Sequence, residues 1–111
     1  MSSRTWQHRI EDIPDAISEI QSFVAGATFE QFKTDAKTLK AVAADLMVIG
    51  EAANHIPDQV QETHSDVPWA LMRAMRNRVV HVYFDVDPGV LWDTVHTDLP
   101  NLVGPLKRML G

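Results

Sequence analysis

The sequence predicts an all-α fold, an antiparallel up-and-down helical bundle. Apolar residues recur at alternating steps of three and four along four stretches of chain. No segment alternates convincingly with a period of two, and neither Asn-Gly nor Asp-Gly, the commonest hairpin dipeptides, occurs. The connections between the stripes are short, which favours helices running up and down. The 111 residues suffice for one core and not two, so residues 1–111 are read as a single domain.

The first stripe is Ile10, Ile13, Ile17, Ile20 and Val24. Pro14 falls inside it, and a proline has no N–H for the helix ladder. The helix therefore either begins near Asp12, with Pro14 in its first turn, or begins earlier and kinks there. Asp12, Asp15 and Glu19 read as its solvated face. Ala25-Gly26-Ala27 closes the element, and Thr28 opens a short amphipathic turn from Phe29 to Phe32.

The second stripe is Leu39, Val42, Leu46, Ile49, Ala53 and Ile56, with Thr34 or Asp35 as the cap. A glycine inside a helix costs about 1 kcal/mol against alanine, so Gly50 is expected to permit close approach of another helix. Glu51, beside it, is a candidate for holding an arginine. Pro57-Asp58 ends this helix, and a short one is expected from Asp58 to His64. The third helix starts with Pro68 in its first turn and buries Leu71, Met72, Met75, Val79 and Val82. Phe84 to Gly89 marks its end. The last runs from about Pro88 toward Leu110 through Leu91, Val95, Leu99, Leu102 and Leu106, with Pro100 and Pro105 bending or dividing it.

Composition narrows the function. Hydrophobic content of 45% and charged content of 23% are those of an ordinary globular chain. With no cysteine there is neither a disulfide framework nor a thiolate metal site. The N-terminus lacks the apolar run of a signal peptide and no window is long enough for a membrane span, so a cytoplasmic, membrane-free protein is expected. A net charge of −5 argues against nonspecific coating of nucleic acid and permits a small basic site.

The sequence offers one candidate for such a site, in residues that equally fit a solvated helix face with a surface histidine and a core-edge tyrosine. Val67 to Phe84 carries Arg73, Arg76 and Arg78 and no Asp or Glu, with His81 and Tyr83 inside it. Arginine forks suit phosphate oxygens and histidine suits proton transfer, so these groups fit a phosphodiester. Arg73, Arg76 and Arg78 are read as candidates for phosphate oxygens, and His81 as the candidate for moving protons. On an ideal helix five residues turn about 140°, which separates Arg76 from His81, whereas Tyr83 lies above Arg76. Either the helix ends or distorts near His81, or a second copy of the chain completes the site. Asn77 shares the face of His81, in reach of a hydrogen bond to the imidazole or to a substrate.

Other chemistry finds little support. His55 and His64 flank a proline-marked turn and read as surface residues; His81 with Asp85 makes a poor metal pair, so no metal is assigned. There is no glycine-rich phosphate loop, no nucleophile elbow, and no cofactor is implied. Trp69 and Trp92 read as core or interface anchors.

The spacing R-x-x-x-x-H-x-Y of Arg76, His81 and Tyr83 resembles the signature of the HepT-like toxins of the HEPN superfamily. Ile49-Gly50-Glu51-Ala52, Val67-Pro68-Trp69 and Asp98-Leu99-Pro100 extend the likeness over roughly Ile10 to Leu106. Pro14 departs from the regular first helix and lies away from the motif. The resemblance implies a HEPN-like bundle that dimerises with two motifs in one cleft. It further implies a metal-independent endoribonuclease, in which His81 moves a proton and Arg76 steadies the charged phosphorane. A cognate minimal nucleotidyltransferase antitoxin, in a type VII-like toxin–antitoxin pair, would silence it by AMPylation of Tyr83. Within the same superfamily the alternative is a non-catalytic nucleotide-binding or docking subunit of a nucleotidyltransferase; a purely structural helical dimer is the third reading.

Overall fold

The computed structural model describes residues 5–84 and 87–111, with residues 80–84 described by backbone alone. It is an all-α helical bundle. The elements are α1 (Trp6–Val24), α2 (Phe29–Lys33), α3 (Ala36–Asn54), α4 (Asp58–Thr63), α5 (Trp69–Phe84), α6 (Pro88–Asp93), a π turn (Thr94–Asp98) and α7 (Pro100–Leu110). Helix α3 is the central element and packs extensively against both α1 and α5. Among the described residues no helix is long and apolar enough to cross a membrane.

The apolar stripes form the core as their periodicity requires. Ile10, Ile13, Ile17, Ile20 and Val24 of α1 are buried, as are Leu39, Val42, Leu46, Ile49 and Ala53 of α3. Each large aliphatic side chain taken fully out of water contributes roughly 1.5–3 kcal/mol before ordering entropy is set against it. Of the two starts open to α1, the helix takes the earlier one. It begins at Trp6, with Pro14 well inside it. Trp6 packs against the core cluster, which gives the extra turns an apolar footing.

Local chemistry sets the boundaries. At α2 the Thr28 hydroxyl accepts from the Gln31 amide at 3.2 Å, and the Gln31 side chain accepts from the Thr28 amide at 3.0 Å. This reciprocal capping box satisfies two donors that a short helix would otherwise leave open. Asp35, rather than Thr34, caps α3 by accepting from the Thr38 amide at 3.1 Å and the Thr38 hydroxyl at 2.7 Å. Those hydrogen bonds hold the Asp35 carboxyl below its usual range, the Thr38 hydroxyl contributing most.

Three details differ from the sequence expectation. Helix α3 ends at Asn54, so Ile56 is buried from the connection rather than from the helix stripe. Pro68 lies just before α5, its carbonyl accepting from Met72 at 3.1 Å. Leu71 is only partly buried, because Trp69 takes the place in the core and donates Nε1–H to the His64 carbonyl at 3.0 Å. The last helix is divided, one of the two outcomes expected of its prolines: the Leu99 amide reaches back five residues to Thr94 at 3.0 Å, making a π turn directly before Pro100. Pro100 has no N–H for a regular ladder, and the wider turn lets α7 restart on it. Leu91, Val95, Leu99, Leu102 and Leu106 remain buried through the division. Trp92 anchors this end as expected, its ring 5.2 Å from Phe32 and 4.0 Å from His96.

Candidate functional site

The polar groups of α5 are sorted by what α3, α4 and the π turn place beside them. Where α3 meets α5, Gly50 faces Arg76 closely: a Cβ on Gly50 would lie 2.3 Å from Arg76 Cγ and 3.2 Å from its backbone nitrogen. The absence of a side chain is therefore required by packing, as the sequence position suggested. One residue on, Glu51 Oε1 meets Arg76 Nη1 at 2.9 Å. Both side chains of this pair are about 40% exposed (43% for Arg76, 40% for Glu51), so the arginine is held at the surface and not buried.

Arg73 lies about one turn earlier. Its Nη1 donates to Gln61 Oε1 at 2.6 Å, and the Gln61 amide group donates to the Ile56 carbonyl at 2.9 Å. The α3–α4 connection thus fixes Arg73 through one intermediary. Arg73, Arg76 and Asn77 line a common cavity of about 390 Å³ with Met47 and Asn54 of α3. Two guanidinium groups and two amides around one open cavity provide donors for an anion such as a phosphodiester.

Arg78 is elsewhere. Its Nη1 donates to Thr94 Oγ1 at 2.8 Å and pairs with Asp98 of the π turn. Thr94, only 1% exposed, donates its own hydroxyl hydrogen bond to the Val90 carbonyl at 2.8 Å. Arg78 therefore ties α5 to the divided last helix and does not line the cavity of Arg73 and Arg76.

A family model for ribonuclease HepT-like proteins matches residues 13–109, nearly the whole bundle and all of α5. The chain belongs to the ribonuclease HepT-like family. A protein of Thermococcus cleftensis named as a probable ribonuclease HepT is 41% identical over 106 residues, covering 96% of each chain. A Methanocaldococcus jannaschii protein named as a candidate RNase is 33% identical over 89% of this chain and 82% of its own length. Another from Caldanaerobacter subterraneus, similarly named, is 36% identical over 78% of each. No solved structure matches the chain.

In this HepT-like chain α5 is α-helical through Phe84, so the helix does not end at His81. The side chains of His81 and Tyr83 lie outside the described residues, as does that of Val82. Asp85 and Val86 lie outside them entirely; Asp87 then caps α6 by accepting from Gly89 at 3.0 Å and Val90 at 3.3 Å. Among the described residues no group of three or more His, Asp or Glu could hold a metal ion. His55 is exposed and its Nδ1 bonds the Glu51 carbonyl at 2.8 Å; His64 is partly buried.

One group in this HepT-like bundle has no counterpart among the residues that the sequence singles out. Asp45 of α3 is 9% exposed and its Oδ2 has no hydrogen-bond partner. Burial, then Glu19 of α1 facing it, pushes its carboxyl up to about 6. Asp45 and Glu19 line a second cavity of about 470 Å³ between α1 and α3. Met47 lines both cavities, which makes them neighbours on the surface. The signal for Asp45 was faint: an aspartate three residues after Val42 and adjoining Leu46, at the flank of an apolar stripe.

Proposed function

We propose that this chain is a metal-independent endoribonuclease of a type VII-like toxin–antitoxin pair, acting as a homodimer. The observation that carries the reading is the family match across residues 13–109, a span that contains the complete Arg76, His81 and Tyr83 motif. The open cavity lined by Arg73, Arg76 and Asn77 supports it, because it supplies donors for a phosphate at the motif's first residue.

The chemistry needs few parts. The ribose 2′-hydroxyl attacks the adjacent phosphorus, a bond forms from O2′ to phosphorus, and the bond from phosphorus to O5′ breaks. His81 takes the hydroxyl proton, and the second copy's His81 gives a proton to the departing O5′. The products are a 2′,3′-cyclic phosphate and a 5′-hydroxyl end. General acid–base transfer of this kind contributes roughly 10²–10⁴-fold. Arg76, joined by Arg73, stabilises the charge that accumulates on the phosphorane oxygens, where a single well-aimed donor is worth roughly 10²–10³-fold. Asn77, one helical turn before His81, supports the imidazole. An α5 that stays helical past His81 keeps Arg76 and His81 of one chain on different faces, which favours a cleft between two copies.

Control passes through Tyr83. The cognate nucleotidyltransferase transfers AMP from ATP to the phenolic oxygen, with pyrophosphate leaving. The added bulk and negative charge then occupy a cleft made for an RNA phosphate.

Expression of the chain alone, wild type beside His81→Ala, tests the reading. Growth arrest with RNA loss is expected in wild type only, unchanged by a metal chelator when the purified protein is assayed. A His81→Ala protein that cleaves as fast as wild type would remove the catalytic assignment. Intact RNA with both, together with altered nucleotidyltransferase binding on changing Arg76 or His81, would favour the docking subunit.

A further inference from the structure

We propose that Glu51 is a positioning residue, which aims the Arg76 guanidinium into the cavity it shares with Arg73 and Asn77. The inference rests on the ribonuclease reading and adds to it a residue outside the R-x-x-x-x-H-x-Y motif.

Two consecutive residues of α3 determine where Arg76 sits. Gly50 leaves bare backbone under the arginine stem, with a would-be Cβ only 2.3 Å from Cγ and 3.1 Å from Cδ. Glu51 then takes the head at 2.9 Å through Nη1. A long side chain has many rotamers, and an arginine on an open helix face would sample most of them. Here the stem is seated and one edge of the fork is held.

A purely stabilising role fits this geometry poorly. Both partners are about 40% exposed, and ion pairs that wet contribute little to folding. What the contact does fix is direction. The guanidinium has five N–H donors, and the Glu51 contact occupies Nη1, which leaves donors for a phosphate entering the cavity. Arg73 is treated the same way, held by Gln61 of α4 at 2.6 Å. Both arginines lining the cavity are thus oriented by α3 or α4, before any ligand arrives. Preorganised donors avoid reorganisation as charge develops, which is where an aimed arginine gains over a mobile one.

The test compares wild type, Glu51→Gln, Glu51→Asp, Arg76→Lys and the double variant Glu51→Gln/Arg76→Lys. Each is assayed for cleavage of an RNA oligonucleotide, for affinity toward its 2′-deoxy analogue, and for thermal midpoint. Glu51→Gln is expected to lower kcat about tenfold or more and to weaken binding of the 2′-deoxy analogue about threefold, with little change in midpoint, since an aimed donor holds the ground-state phosphate and holds the transition state more strongly. Glu51→Asp restores part of the loss, and the double variant is no worse than Arg76→Lys alone. Cleavage by Glu51→Gln at the wild-type rate or faster overturns the proposal, as does a loss that multiplies with that of Arg76→Lys. A Glu51→Gln protein whose lost activity tracks a fallen midpoint overturns it too. If wild type leaves RNA intact, the ribonuclease reading fails separately. The 2′-deoxy oligonucleotide then decides on Glu51: equal affinity in wild type and Glu51→Gln sinks the positioning role, and affinity weakened about threefold or more only when Arg76 is present upholds it.

Discussion

Arg78 of α5 and Asp98 of the π turn form an ion pair across twenty residues of sequence, with Thr94 as a third member. The side chains are 30% and 24% exposed, so the pair is partly shielded from water. This separates Arg78 from its neighbours Arg73 and Arg76, although all three lie within six positions. Removing one member strands the other in a half-dry site. Arg78→Ala is expected to lower unfolding free energy by about 1–3 kcal/mol, the range for leaving a buried polar group without its partner. Affinity for a 2′-deoxy oligonucleotide should change little. Arg73→Ala should show the opposite balance, weak binding with a smaller stability loss. Urea unfolding beside oligonucleotide titration checks both, and weak binding in stable Arg78→Ala would return Arg78 to the phosphate-binding set.

Gly50→Ala addresses the helix crossing. Alanine in a helix interior ordinarily gains about 1 kcal/mol over glycine. Here the new methyl would sit 2.3 Å from Arg76 Cγ and 3.2 Å from the Arg76 backbone nitrogen. The first contact can be relieved by the side chain, but the second asks α5 itself to yield. Overpacking of this kind costs roughly 1–3 kcal/mol, which offsets or exceeds the propensity gain. The expected result is a stability between unchanged and about 2 kcal/mol lower, with cleavage falling at least tenfold because Arg76 is unseated. A more stable, fully active Gly50→Ala protein would show that the helices accommodate the methyl without moving the arginine.

Much of this was legible from spacing alone. The stripes of α1 and α3 were visible because a helix packed on one side must repeat apolar residues every three or four positions. Gly50 and Glu51 were legible for a different reason: a helix-interior glycine is costly, so its presence implies a neighbour, and α5 supplies the arginine. What stayed hidden depends on long-range pairing or on small adjustments of register. Nothing local says that Arg78 finds Asp98, or that Asp45 turns toward Glu19. Pro100 announced a break, yet the π turn that absorbs it is chosen by the burial of Val95 and Leu99 on either side of the extra residue. Ile56 kept the α3 rhythm after the helix had ended, since a buried connection can continue the stripe.

Burial of Asp45, with Glu19 facing it, makes stability fall with rising pH over a defined window. The Asp45 carboxyl is raised from 3.8 to about 6 in the fold. Between those values the native state holds a proton that the unfolded chain has released, so stability decreases as pH rises through the window and levels off above it. The contribution is complete below about pH 4 and lost above about pH 6. Asp45→Asn removes the titration while keeping the shape. Each tenfold change in proton affinity corresponds to about 1.36 kcal/mol, so at about pH 8 the variant is expected to be more stable than wild type by about 1–3 kcal/mol. Near pH 4 the two should nearly coincide. Urea unfolding at both pH values checks this, and a constant difference between the proteins would mean that packing rather than ionisation separates them.

Tyr83 is the only tyrosine in the chain, so the proposed switch has a single phenolic target. Phenylalanine keeps the ring and removes the oxygen that would attack the α-phosphate of ATP. Tyr83→Phe is therefore expected to resist silencing: incubated with the cognate nucleotidyltransferase and ATP, wild type gains the mass of one or more adenylyl groups and stops cleaving RNA. The phenylalanine protein gains none and continues, at a rate within about threefold of unmodified wild type if the hydroxyl takes no part in proton transfer. Intact-mass spectrometry and RNA cleavage on the same samples separate the two consequences. An adenylyl mass on Tyr83→Phe would move the acceptor to a serine or threonine hydroxyl. Unmodified Tyr83→Phe that no longer cleaves would instead place the phenol in the reaction, making modification of Tyr83 a direct removal of a working group rather than a plug of the cleft.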